Sequence, residues 1–166
     1  NKMAKIEVQL DLIRKYNVPG PRYTSYPTAP HFDENISWDM LIPYIKANNA
    51  PSQSDIPVSL YFHLPFCKSL CWFCGCTNVI SLDSSCSARY FQYLRKELDM
   101  IAPLLNPKRK IVQLHFGGGS PTFSEPQEIL QLGSWIHNLF SFEKSYEASV
   151  EVDPRTATEA KIKAFA

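Results

Sequence analysis

Between residue 57 and the C-terminus, short apolar runs alternate three times with segments of helical period, and this alternation constrains the fold more than any other feature. "PVSLYFHL" and "KIVQLHF" have the length and the β-branched and aromatic content of strands, and "EASVEVD" reads as a third. A helix is predicted near 86–101, with Phe91, Leu94, Leu98 and Ile101 on one stripe. Ser124 and Gln127 suggest a capped start for the next, whose stripe is Ile129, Leu132, Ile136 and Leu139. Thr156 and Glu159 are spaced to cap the last, which has barely three turns before Ala166. The chain therefore reads as the N-terminal part of something longer.

Strand–helix repetition of this kind predicts right-handed βα units around a parallel sheet. Ligands of such sheets gather beyond the carboxyl ends of the strands. Three unusual segments fall there: a cysteine loop after the first strand, Gly117–Gly119 after the second, and Glu151 to Asp153 closing the third.

The first 55 residues differ in kind. A short helix is expected over residues 6–16, and another from Ser37, weakened or broken by Pro43. Between them "NVPGPRYTSYPTAP" carries Pro19, Pro21, Pro27 and Pro30, so it must run extended and kinked. Residues 1–55 are read as an N-terminal arm and 56–166 as the first half of a truncated barrel domain.

Composition excludes several classes. A formal net charge of +1 offers no basic field for nucleic acid. The longest apolar runs are strand-length, too short for a membrane span, and "NKMAKIEVQL" lacks the continuous apolar centre of a signal peptide. Without an export signal, five cysteines are poorly explained as disulfides and point to a reducing, cytoplasmic setting.

Four of those cysteines fall within "FCKSLCWFCGC", where Cys67, Cys71 and Cys74 form C-x3-C-x2-C and Cys76 follows. Three readings are open. Structural zinc usually takes four ligands in two separated pairs, and His63 is the available fourth ligand. A second reading leaves some of the thiols inert and buried, as free cysteines often are. Closely spaced thiolates flanked by Phe66, Trp72 and Phe73 also suit an iron–sulfur cluster, which is the reading the spacing favours. Three ligands on a cubane would leave one iron with an open position for substrate.

"PGPRYTSYPTA", "LYFHLPFCKSLCWFCGC", "QLHFGGGSPT" and "VEVDPR" occur in that order. Together they resemble the oxygen-independent coproporphyrinogen III oxidases (dehydrogenases), a family of the radical S-adenosylmethionine (SAM) superfamily, over roughly residues 10–156. A related haem chaperone of the superfamily shares the first three cysteines but typically lacks the fourth and "PRYTSYP". The resemblance implies a (βα)6 partial TIM-like barrel, with Cys67, Cys71 and Cys74 ligating a [4Fe-4S] cluster and Cys76 not a ligand.

It further implies two S-adenosyl-L-methionine molecules per site, contacted by Tyr61, Phe73, Gly118, Gly119, Ser120 and Glu151. Glu151 would serve the ribose hydroxyls and Phe73 the adenine. His63 is a candidate proton carrier or substrate contact, and Arg22 a candidate clamp for a substrate propionate. The implied reaction converts the ring A and B propionates of coproporphyrinogen III to vinyl groups. An adenosyl radical takes a β-hydrogen, after which CO2 and one electron leave. The implied partner is a low-potential donor such as flavodoxin or ferredoxin, and the implied state a monomer. Each bland alternative stands beside these roles: a core aromatic for Tyr61, a hydrogen-bonded histidine for His63, a tight turn for the glycines, and solvated charges for Glu151 and Arg22.

Overall fold

The computed structural model describes residues 9–18, 28–72 and 74–166. Arg22 and Phe73 lie outside the described residues. The chain forms two compact units, residues 1–37 and 38–166. In the first, α1 spans Leu10–Tyr16 and buries none of its residues, and a single 3-10 turn follows at Ala29–His31.

In the second unit α2 spans Trp38–Asn48 and carries Pro43 inside it, so the proline does not break the helix. It falls near the middle, where the ring costs one intrahelical hydrogen bond. Strand β1, Val58–Leu64, leads into a two-residue strand β2, Phe66–Cys67, which pairs in parallel with β3, Val79–Ile80. Helix α3 spans Ser85–Ile101, β4 Ile111–Gly118, α4 Pro126–Leu139, β5 Phe142–Val150 and α5 Glu159–Phe165.

The main sheet is parallel throughout, in the order β1-β4-β5. Each long strand is thus added on the same side of the last, as in a barrel, without the reversal of a doubly wound sheet. Its two faces differ sharply. Phe62, Leu64, Leu114 and Phe116 point to a core closed by Phe91, Leu94 and Leu98 of α3 and Leu132 and Ile136 of α4. Of the predicted helical stripes, Phe91, Leu94, Leu98, Ile129, Leu132 and Ile136 are buried, Ile101 and Leu139 are half-buried, and Ile136 is wholly inaccessible.

The other face is polar, in rungs fixed by the strand register. Gln113 stands between Ser59 and Glu147, and His115 between Tyr61 and Ser149. The outermost rung sets His63 beside Gly117. Parallel sheets are ordinarily covered by apolar layers on both faces, whereas this face carries polar side chains from all three strands.

Several local expectations are corrected. Helix α4 is capped by Glu125 with Glu128, one residue later than Ser124 and Gln127, because Pro126 occupies its first turn. Helix α5 is capped by Thr158, whose hydroxyl accepts from the Lys161 amide. Thr156 is instead buried, bonded to Thr122 at 2.7 Å. Strand β5 begins at Phe142 and ends at Val150, earlier at both ends than "EASVEVD". Among the described residues no helix is long and apolar enough to cross a membrane.

Candidate functional site

The cysteine loop hangs from the carboxyl end of β1 and is closed at its base by backbone bonds on two sides. The Val79 amide donates to the Pro65 carbonyl and the Ser81 amide to that of Cys67. On the other flank the Gly119 and Ser120 amides donate to the carbonyls of Leu64 and Phe66, each at 2.9 Å. The loop after β4 is thereby stitched to the root of the cysteine loop, which brings two of the three predicted segments together.

Close packing, rather than turn chemistry alone, accounts for the glycines. A Cβ on Gly117 would lie 2.9 Å from the Tyr61 ring, and one on Gly119 2.5 Å from the Pro65 carbonyl oxygen. Gly118 has a φ of 116° and its missing Cβ would sit 2.8 Å from the His63 ring. Only glycine adopts that conformation without strain.

Tyr61 is 57% exposed, so it is not a core aromatic. Its ring stacks on His115 at 5.6 Å, and its hydroxyl lies 3.0 Å from His63 Nδ1. The opposite nitrogen, Nε2, lies 2.7 Å from the Thr77 carbonyl. A carbonyl only accepts, so Nε2 carries the proton and Nδ1 of the neutral ring accepts from Tyr61. His63 therefore pins the exit of the cysteine loop to the end of β1. Partial burial, then the nearby Glu151 and Cys76, push the Tyr61 phenol above its ordinary value.

Glu151 follows β5 directly and enters the same rim. Its Oε2 accepts from the Gly118 amide at 3.0 Å, and Oε1 stands 3.6 Å from His115 Nε2. His115 Nδ1 in turn meets Ser149 Oγ at 2.7 Å. Behind this rim the hydroxyls of Ser120, Thr122 and Thr156 form a buried triangle. An open cleft of about 280 Å³ joins Cys67, Cys71, Gly119, Ser120, Glu151 and Arg155. Of the residues singled out from sequence, the structure collects Tyr61, His63, Gly118, Gly119, Ser120, Glu151 and the cysteines at one end of the sheet.

The thiols are a chemically apt donor set for a cluster. All five cysteines are free, with Cys71, Cys74 and Cys76 exposed and Cys67 half-buried. Burial first, then the crowding of Cys74 and Cys71, pushes the Cys67 thiol up. Mutual repulsion of that kind is relieved when thiolates share a cationic centre. The Cys74 amide donates to the Cys71 carbonyl at 3.1 Å, and Asn78 Nδ2 donates to Cys74 Sγ at 2.8 Å. Among the described residues no three Cys, His, Asp or Glu side chains close on a single metal ion.

Two participants had no assigned role in the sequence reading. His115 has the same strand parity as Gln113 and Gly117, a signal that could have placed it on the polar face. Arg155 lies in "VEVDPR", but its position depends on the turn that Asp153 organises. The Asp153 carbonyl accepts from the Thr156 and Ala157 amides, and bonds from Arg155 hold its carboxyl below the usual range.

No family model matches the chain. It is 39% identical over 152 residues to an oxygen-independent coproporphyrinogen III oxidase of Helicobacter pylori, covering 91% of this chain and 33% of that protein. With the Escherichia coli protein of that name it shares 39% over 153 residues, covering 92% and 32%. A Mannheimia haemolytica protein of the same name is 40% identical over 152 residues, 92% of this chain and all of that relative. A solved coproporphyrinogen III oxidase from E. coli, described as a radical SAM enzyme, matches with a TM-score of 0.76 and 34% identity over 97% of this chain and 34% of that one. The chain spans about a third of the length of the first of these relatives.

Proposed function

The chain belongs to the family of oxygen-independent coproporphyrinogen III oxidases, and from that premise we propose that it supplies the cluster-bearing end of a radical SAM enzyme. The reaction is oxidative decarboxylation of the ring A and B propionates of coproporphyrinogen III to vinyl groups, giving protoporphyrinogen IX. The observation that carries this reading is the cleft in which Cys67 and Cys71 face Gly119, Ser120 and Glu151.

Cys67, Cys71 and Cys74 would hold a [4Fe-4S] cluster, and the cleft beside them SAM, two molecules in all. When bound, these groups supply the one-electron chemistry that decarboxylation without oxygen demands, chemistry no side chain offers. The protein's own residues bind, orient and carry protons. Glu151, one oxygen of which is held by the Gly118 amide, presents its remaining lone pairs to ribose hydroxyls. Gly118, Gly119 and Ser120 let backbone approach the ligand, and Phe73 and Tyr61 offer flat apolar faces. His63 holds its proton at Nε2 against Thr77 and takes one at Nδ1 through the Tyr61 hydroxyl, which makes the pair the proposed proton carrier.

Residues 56–166 would furnish the first part of the barrel and 1–55 the arm. A low-potential donor such as flavodoxin or ferredoxin, a monomeric state and a cytoplasmic setting complete the proposal. The test is anaerobic reconstitution of the full chain with iron and sulfide. A brown chromophore whose spectrum changes on adding SAM is the expected result, with protoporphyrinogen formed from coproporphyrinogen once the polypeptide is extended to the length of the Helicobacter pylori relative. A colourless protein with stoichiometric zinc overturns it.

A further inference from the structure

We propose that Arg155 donates to the Cys71 sulfur and raises the reduction potential of the cluster that Cys71 helps to hold. The inference rests on the cluster reading above. Its basis is a guanidinium with an assigned place. Arg155 Nε donates to both oxygens of Asp153, at 3.0 and 3.2 Å, and Nη2 donates to Oδ2 at 2.9 Å. The Arg155 amide also donates to Asp153 Oδ1 at 2.9 Å, so backbone and side chain grip the same carboxylate. From that fork Nη2 also reaches Cys71 Sγ at 3.8 Å, across 84 residues of sequence.

The turn beneath it is held as firmly. Pro154 restricts the backbone between the two residues. Thr156, buried at the end of the turn, bonds the Asp153 carbonyl with its own hydroxyl and meets Ser120 and Thr122. A surface arginine with freedom to move would lose rotamer entropy on meeting a sulfur. Arg155 is already oriented by Asp153, so little remains to be lost. The Asp153–Arg155 pair lines the same cleft as Cys67 and Cys71.

The direction of the effect follows from charge. One-electron reduction adds a negative charge to the cluster and its thiolates. A cation and an N–H donor at one of those sulfurs favour the reduced state, because hydrogen bonds to sulfur and net charge set cluster potentials. Asp153 opposes this as an anion that lines the same cleft, but the guanidinium makes the contact with the Cys71 sulfur. Arg155 thus acts through the Cys71 sulfur rather than on substrate, easing delivery of an electron from the low-potential donor.

The experiment is an anaerobic redox titration of the reconstituted full chain, followed by electron paramagnetic resonance, with iron and sulfide content measured beside it. Arg155→Gln should load a cluster as the parent does, yet show a roughly tenfold lower equilibrium constant for reduction, about 59 mV for one electron. Arg155→Lys, which keeps the charge without the fork, should fall between the two. Equal potentials in parent and Gln variant, or equal displacement by Lys and Gln, overturn the inference. If the Gln variant fails to load, the Lys variant decides: a lowered potential supports the role, an unchanged one rejects it. A parent that forms no cluster overturns this inference and the functional reading together, whereas a loaded parent indifferent to Arg155 overturns this inference alone.

Discussion

At the scale of single residues, the three glycines at the carboxyl end of β4 are held by neighbours rather than by flexibility. Gly118 combines a φ of 116° with a His63 ring only 2.8 Å from where a Cβ would stand. Replacing it by alanine must strain the backbone or displace His63, and with His63 the anchor on Thr77. Gly118→Ala should therefore cost about 2–3 kcal/mol in chemical unfolding and lower iron retention after reconstitution. Gly133 provides the contrast, lying within α4 with nothing within 4 Å of its missing Cβ. The same substitution there should stabilise by about 0.5–1 kcal/mol. Equal effects at the two positions would show that the His63 contact carries no constraint. Tyr61 and His63 could be paired from sequence, since period two puts alternate strand residues on one face. The Arg155–Cys71 contact could not, because no local pattern links two residues 84 apart.

At the scale of elements, helix α3 begins on a carboxylate that the fold keeps ionised. Asp83 accepts from the Ser85 amide at 2.9 Å and from the Ser85 hydroxyl at 2.7 Å, and these bonds lower its pKa. A carboxyl depressed in the folded state stabilises it fully above the unfolded value, about 3.9. That stabilisation is lost as pH falls through the folded value. Asp83→Asn should thus lower the thermal midpoint at pH 7, and the gap from the parent should narrow as pH falls below the ordinary carboxylate range. A gap that persists in acid would mean the side chain acts through shape rather than charge. The helical stripes of α3 and α4 were legible because burial against the sheet demands the helical period. The helix starts were less so. A Ser-x-x-Gln and a Thr-x-x-Glu pattern each had a rival a residue or two later, and tertiary burial of Thr156 and the place of Pro126 decided between them. The β2–β3 pair, two residues a side, leaves no periodic trace at all.

At the scale of the whole molecule, the two faces of the main sheet assign different tasks. The apolar face is closed by α3 and α4. The polar face presents rungs from Ser59–Gln113–Glu147 outward to Tyr61–His115–Ser149 and His63–Gly117, as a barrel interior does when further strands complete it. β1 and β5 are the two edges of this sheet, and unpaired edges invite additional strands. The cleft by the cysteines has walls from the cysteine loop, the turn after β4 and the turn after β5, and it is open on the remaining side. Catalysis through a reactive intermediate requires walls that exclude water and orient the substrate all round. The 166 residues alone should then take up iron and sulfide on the cysteine loop yet form no protoporphyrinogen above the background of heat-treated protein. A polypeptide extended to the length of the Helicobacter pylori relative should turn over. Chromatography of oxidised porphyrins after anaerobic incubation with SAM and a chemical reductant distinguishes the two. Turnover by the short polypeptide, its mass verified, would mean that three strands and their helices already enclose the reaction, and that the polar rungs do not await a partner.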